Sequence, residues 1–318
     1  MRVVFMGTPD FAVPSLQALL DNGVQVVGVV TQPDRPVGRK RILTPTPVKV
    51  EALKHGIPVL QPERLRRPES VQELKELQPD LIVTAAYGQI LPKSVLELPK
   101  HGCINIHASL LPKYRGGAPI HHAVMNGDAV TGVTIMYMAE GLDTGDMISK
   151  VEVNIEDTDT QGTMFEKLSI AGAQLLTETL PELVAGQIQA VPQNDADAIY
   201  SPNITRVQEL IDWNKSAVAI WNQIRGLNPR PGAYTLWNGE VLKLWSCRKP
   251  DTESTNHSNS SEPGTVVGMG EYGIEVATGS GTITITELQP AGKKAMDAAQ
   301  WIRGGQLSVG TQLGSAAQ

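Results

Sequence analysis

Residues 2–20, RVVFMGTPDFAVPSLQALL, decide the fold. A β-branched and aromatic run, Arg2 to Met6, meets a helical stretch from Pro14 to Asp21 through the turn Gly7-Thr8-Pro9-Asp10, which is strand-turn-helix grammar. The pattern then repeats: Val24 to Thr31, a helix near Pro47 to His55, Pro58 to Leu60, Ser70 to Gln78, Asp80 to Ala86 and Cys103 to Ala108. It continues with a helix near Pro119 to Asn126, strands at Thr131 to Met138 and Met147 to Val153, and a long helix from about Thr160 to Ala185. Near-continuous apolar runs such as LIVTAA at 81–86 belong to strands covered on both faces. The expected architecture is α/β: a doubly wound, mostly parallel, Rossmann-like sheet. Such sheets place ligands beyond the carboxyl ends of their strands, here the loops after Met6, Thr31, Ala86, Ala108 and Met138.

Past this pattern the chain turns polar and broken from Gln187 to Arg206, and short strand-like runs follow: LKLWSC, GTVVGM, GIEVAT and TITITEL. These suggest a smaller β-barrel. The 318 residues therefore divide into a catalytic unit over 1–189, a linker over 190–205 and a C-terminal barrel over 206–318. The polar stretch 251–264 is expected to be a mobile loop.

Composition excludes several classes. Lys plus Arg number 27 and Asp plus Glu 33, a net charge of −6, so the chain is no polycation and any nucleic-acid contact is local. Residues 206–318 carry 10 basic and 10 acidic side chains, which puts the whole acid excess in the first part. Cys103 and Cys247 form no CxxC and suggest neither a disulfide framework nor a zinc site. With no apolar run of about 18 residues and no signal peptide, a soluble cytoplasmic protein is expected, without metal and without membrane.

The first turn lacks GxGxxG, and GxxxxGK[ST] is absent as well, so neither nucleotide fingerprint applies. The second loop, TQPDRPVGRKRILTPTPVK at 31–49, spends about 17 residues where about 2 to 6 are usual. It carries Arg35, Arg39, Lys40, Arg41 and Lys49 with no acid between them. Such a loop either pairs with neighbouring carboxylates or meets a phosphate backbone.

In the strand Cys103-Ile104-Asn105-Ile106-His107, Asn105 and His107 are two apart and leave the same face. They are either a polar pair satisfied in the core or part of a site. Asp143, in the loop GLDTGD after the strand TGVTIMYM, is expected at the same carboxyl rim of the sheet, where a carboxylate favours imidazolium. An amide donor, an imidazole donor and a carboxylate are equipment for acyl transfer. No GxSxG elbow or activated thiol accompanies them, which points to direct transfer.

Taken together, INIHASLLPKYRGGAPI at 104–120 and GLDTGD at 141–146 resemble the folate-dependent formyltransferase superfamily. GTPDFAVPSLQALL, TQPDRPVGRKR, AYGQILP and LQPAGKK are similar to the branch that formylates methionyl-initiator tRNA. The resemblance implies 10-formyltetrahydrofolate as co-substrate, Asn105, His107 and Asp143 as the catalytic trio, and a C-terminal barrel like the OB-fold that helps to hold tRNA. It implies folate contacts at Ser109, Leu110, Leu111 and Pro112, and a second pocket wall at Tyr87, Gly88, Gln89, Ile90, Leu91 and Pro92. It assigns tRNA contact to Arg35, Arg39, Lys40, Arg41 and Lys49, and it carries the expectation of a monomer. The alternatives are formyl transfer to a non-tRNA acceptor, formyl-folate hydrolysis, or a non-catalytic RNA-binding module.

Overall fold

Strand β1 (Arg2–Gly7) lies inside the N-terminal sheet, and both of its faces are apolar and covered. It pairs in parallel with β2 (Gln25–Val30) and with β6 (Leu81–Ala85), so that Phe5 stands beside both Val29 and Val83. A short helical turn at Asp10–Ala12 leads into α1 (Val13–Asp21), which returns the chain to β2. The structure, a computed structural model, describes residues 1–251, 261–305 and 307–314; most of the loop expected at 251–264 lies outside the described residues.

The long second loop is a hairpin, β3 (Arg35–Val37) with β4 (Ile42–Thr44), whose side chains are all exposed. Thr46 caps α2 (Pro47–Lys54) by accepting from the Lys49 amide at 3.2 Å, and Pro47 occupies the first helical position. β5 (Val59–Leu60), α3 (Pro68–Glu76), β6, α4 (Lys93–Leu96) and β7 (Cys103–His107) follow. The sheet has the order β5-β2-β1-β6-β7-β8-β9, with β8 (Val130–Tyr137) and β9 (Met147–Asn154) as its last two strands. The first five strands are parallel, whereas β8 runs antiparallel to both β7 and β9.

One face of the sheet buries Val4, Met6, Ile82 and Cys103 against Leu74 and Val95 of α3 and α4. The other face meets α6 (Gln161–Val184), where a Cβ on Gly172 would fall 2.8 Å from Ile106. Alternation along β7 therefore puts Cys103, Asn105 and His107 on the α3–α4 face.

Contacts divide the chain into two units: Met1–Pro119 with Val130–Asn154 and Phe165–Ser201, and Ile120–Ala129 with Ile155–Met164 and Pro202–Gln318. The N-terminal unit thus keeps most of the stretch expected as a linker. Val191 exchanges two backbone hydrogen bonds with Met147, and Ser201 is fully buried. Helix α5 (Pro119–Met125) falls almost wholly in the C-terminal unit, where Met125 packs on its core.

That C-terminal unit holds α7 (Arg206–Glu209) and α8 (Ala217–Leu227), the latter capped by Ser216. Its antiparallel strands are β10 (Ala233–Trp237), β11 (Glu240–Cys247), β12 (Val266–Gly270), β13 (Gly273–Ala277), β14 (Thr282–Pro290) and β15 (Met296–Asp297). They lie in the order β10-β11-β14-β13-β12, with β15 on β14, ahead of α9 (Ala298–Ile302). Ile220 and Ile224 of α8 share a core with Leu244, Ile283, Ile285 and Leu288 of the sheet. No helix among the described residues is long and apolar enough to cross a membrane.

Candidate active site

Cys103 opens β7 inside the core, its thiol raised to about 12 by burial, and contributes packing rather than reactivity. Two residues on, Asn105 is partly exposed. The amide is oriented from behind: its Oδ1 lies 2.8 Å from the hydroxyl of Thr84 on the neighbouring β6. A carbonyl oxygen only accepts, so Nδ2 is the end left to donate.

His107 is 6% exposed. Its Nε2 stands 2.9 Å from the carbonyl oxygen of Tyr114, and that partner requires the proton on Nε2. The Nδ1 side faces Asp143, whose Oδ2 is 3.7 Å away. The same Oδ2 accepts from the Gly116 amide at 2.8 Å, which fixes the carboxylate. Asp143 thus meets His107, and Asn105 stands two residues before that histidine on the same face of β7.

The expected route of Asp143 to this site requires correction. Because β8 is antiparallel, Tyr137 stands beside Ile104 and Thr134 beside His107, so β8 ends next to the start of β7 and not at the carboxyl rim. The loop 138–146 turns back to bring Asp143 to the histidine. It can do so because Asp143 takes a left-handed backbone (φ +52) and because Gly145 packs onto β8: a Cβ there would sit 1.8 Å from the Tyr137 carbonyl. Tyr114, which supplies the carbonyl to His107, is also left-handed (φ +62). Two non-glycine residues in this sparsely populated region touch one imidazole, a concentration of backbone strain found at functional sites.

The segment Ser109-Leu110-Leu111-Pro112 is pinned beside this centre. Thr134 donates to the Ser109 carbonyl (2.7 Å) and accepts from the Leu111 amide (3.1 Å), while the Lys150 ammonium reaches the Leu111 carbonyl (2.6 Å). The stretch 87–92 divides. Tyr87 and Leu91 pack in the core cluster, and the Tyr87 carbonyl accepts from Thr8 and Gln32. Gln89 is tied to the Leu65 amide and the Pro62 carbonyl. Gly88 has a left-handed backbone (φ +89) and Ile90 is 81% exposed.

The five cations of the hairpin region also separate. Arg35 pairs with Glu63 and Lys49 with Asp34, each at 2.7 Å. Arg39, Lys40 and Arg41 occupy the exposed turn with no ion pair among the described residues.

The sequence reading missed Thr84, Arg115 and Gln193. Arg115 is 2% exposed, yet it donates through Nε to Gln193 Oε1 (3.0 Å) and through Nη2 to Asp195 (2.8 Å). An arginine inside a glycine-rich turn was the available signal for it. Gln193 stands in a polar run without periodicity, and nothing local marks it.

Residues 1–180 match the family model described as formyl transferase, and residues 203–306 match that described as formyl transferase, C-terminal domain. The chain is 58% identical to the methionyl-tRNA formyltransferase of Bacillus subtilis (strain 168), over 98% of both chains. This chain belongs to the methionyl-tRNA formyltransferase family. The Geobacillus thermodenitrificans member is 59% identical, again over 98% of each chain. Among solved structures, the sugar 3N-formyl transferase WlaRD aligns at a TM-score of 0.67 and 20% identity, covering 92% of this chain and 99% of that one. HypX from Aquifex aeolicus, in complex with tetrahydrofolic acid, aligns at 0.62 and 17%, covering 97% of this chain and 48% of that one. At these identities the two structures support the fold, and the family rests on the sequence relatives.

Proposed function

We propose that this enzyme transfers the formyl group of 10-formyltetrahydrofolate to the α-amino group of methionyl-initiator tRNA, by direct attack of the amine. The observation that carries the reading is the approach of Asp143 to a buried His107 (3.7 Å), two residues along from an Asn105 whose Oδ1 is held by Thr84 and whose Nδ2 is left to donate.

Each residue's task follows from its chemistry. Attack of the amine on the formyl carbon moves charge onto the formyl oxygen, and donors already aimed at that oxygen lower the barrier without reorganising. Asn105 donates through Nδ2. His107, with Nε2 committed to Tyr114, donates through Nδ1 when it carries a second proton. Asp143 accepts the proton that the attacking amine sheds and delivers it to N10 as the bond between the formyl carbon and N10 breaks, so that tetrahydrofolate leaves as a neutral amine; its hydrogen bond to Gly116 keeps it in place while it does so.

The co-substrate supplies a formyl group on a nitrogen that can leave. The partly exposed Leu110 and the exposed Ile90 offer an apolar surface for its ring system, and the backbone of 88–90 and 109–112 offers polar groups; a surface of this mixed kind suits a flat heteroaromatic ligand.

The cationic turn at Arg39, Lys40 and Arg41 favours RNA over a sugar or a ribonucleotide as acceptor, because three free cations on one exposed tip match a phosphate backbone. The test mixes purified enzyme with 10-formyltetrahydrofolate labelled in the formyl group and with methionylated initiator tRNA. Label is expected on the α-amine of the methionine, and not on free methionine or glycinamide ribonucleotide. Release of labelled formate without transfer would overturn the reading in favour of hydrolysis.

A further inference from the structure

The segment 193–201, a polar run between the long helix α6 and the C-terminal unit, holds the back of the catalytic pair. Gln193 is its centre. The side-chain Nε2 of Gln193 donates to two carbonyl oxygens of the catalytic loop, those of Asp143 (2.7 Å) and Gly145 (2.8 Å). Its Oε1 accepts from Nε of the buried Arg115. The amide orientation is therefore unambiguous: the nitrogen end has only acceptors around it and the oxygen end has a donor. Eight residues later, Ser201 donates to the Tyr114 carbonyl (3.0 Å), the same oxygen that takes the His107 Nε2–H. One strap thus touches the residues that position both members of the His107–Asp143 pair.

We propose that Gln193 is a positioning residue for formyl transfer, holding the left-handed Asp143 so that its carboxylate meets His107, with Arg115 as the buried anchor that holds Gln193. The inference rests on the catalytic reading of Asp143 given above. The loop 138–146 must turn back from an antiparallel strand and carry a non-glycine residue at φ +52, a conformation that persists only when its surroundings over-determine it. Two carbonyls gripped by one amide over-determine it. Asp195, the second partner of Arg115, is 86% exposed at its side chain. Arg115 also bonds Tyr200; of these partners, Gln193 is the one that donates to the catalytic loop.

The discriminating variant is Gln193→Glu. A carboxylate keeps, and strengthens, the partnership with Arg115, but it has no N–H for the two carbonyls. If Gln193 merely stabilised the fold, Gln193→Glu would lower Tm and leave turnover measured well below that Tm unchanged, because the two carbonyls lose their donor. As a positioning residue it loses kcat by about 10- to 100-fold, the scale of a misplacement of about 1 Å, while KM for the tRNA and the folate moves less than about threefold. Gln193→Ala is expected to show the same kcat loss.

A second measurement reads the geometry directly. The Gly116 amide is protected by the Asp143 carboxylate, so hydrogen exchange of a peptide spanning 114–118 is expected to quicken by about tenfold or more in Gln193→Glu. Asp143→Asn is run alongside. If Asp143→Asn is inactive and Gln193→Glu turns over within twofold of wild type, the proposal is overturned and the reading of Asp143 stands. If Asp143→Asn itself turns over normally, both fall. Loss of kcat in Gln193→Glu, measured well below its Tm, with faster exchange at Gly116 and unchanged exchange in the C-terminal unit supports the proposal.

Discussion

Replacing Arg39, Lys40 and Arg41 together by Ala tests whether the hairpin turn reads phosphates, and the structure sets the size of the effect. Of the five cations between residues 35 and 49, Arg35 is engaged by Glu63 and Lys49 by Asp34. Only the three at the turn are available to displace counterions from RNA. Each phosphate contact contributes about 0.7 to 0.9 to the slope of log affinity against log salt, so the triple variant should lose about 2 to 3 from that slope. Between about 50 and 200 mM salt, wild-type affinity should therefore fall about 20- to 40-fold further than the variant's. The assay is fluorescence anisotropy of labelled initiator tRNA at four salt concentrations, read as a slope. Lys49→Ala is the control: its ammonium holds the Asp34 carboxyl below its usual range through a hydrogen bond, and its loss should lower Tm and leave the slope alone. An unchanged slope in the triple variant would remove the turn from the interface. A slope flattened equally by Lys49→Ala would refute the division of the cations into paired and free.

Three further outcomes are expected. Asn105→Ala removes one oxyanion donor and should cost about 2.7 to 4 kcal/mol in the transition state, a loss of about 10²- to 10³-fold in kcat with an unchanged unfolding midpoint; single-turnover kinetics beside a urea titration checks both. Gly145→Ala puts a methyl group into the Tyr137 carbonyl, so the loop shifts, and kcat should drop by about tenfold or more while tRNA binding by anisotropy stays within twofold. Glu51 is nearly buried, and the Lys54 ammonium, then His55, holds its carboxyl below the usual range. A depressed folded-state value contributes stability that is present above the unfolded pKa and disappears as pH falls through the folded one. Glu51→Gln should therefore flatten the loss of Tm on acidification through the carboxylate range while lowering Tm at neutral pH, as thermal melts at several pH values would show.

The parts of this molecule that a sequence reading recovers are those governed by local pattern. β-branched runs and their turns locate β1, β6 and β7, and the alternation along Cys103–His107 places Asn105 and His107 on one face. Which way β8 runs is not a local property. TGVTIMYM is as apolar as the parallel strands, and its direction is set by the register His107↔Thr134 and by its partner β9. For that reason the carboxyl-rim argument brings Asp143 to the right residue by the wrong path. The stretch 190–205 is mostly exposed, as its polarity implies, but two of its residues have further work. Gln193 and Ser201 spend their donors on backbone carbonyls of other loops, and a polar residue satisfied by tertiary carbonyls is indistinguishable in sequence from one satisfied by water.

The same contrast explains why the supporting residues are so far apart in sequence. Asn105 and His107 stand on a strand, where sheet hydrogen bonds and packed neighbours fix them, and one hydroxyl from the adjacent strand, Thr84, is enough to orient the amide. Asp143 has no such scaffold, because the strand that leads to it ends beside Ile104, away from His107. A loop that doubles back must obtain its precision elsewhere. It obtains it from a carboxylate-to-amide bond at Gly116, a close backbone approach at Gly145 and the Gln193 amide across two carbonyls. The left-handed conformation of Asp143 and Tyr114 costs on the order of 1 to 3 kcal/mol at each residue, and only long-range bonds from a segment outside both loops can offset it without freeing the pair to relax. Arg115 and residues 193–201 supply those bonds, and a site this strained would open if they were removed, even with Asn105, His107 and Asp143 intact.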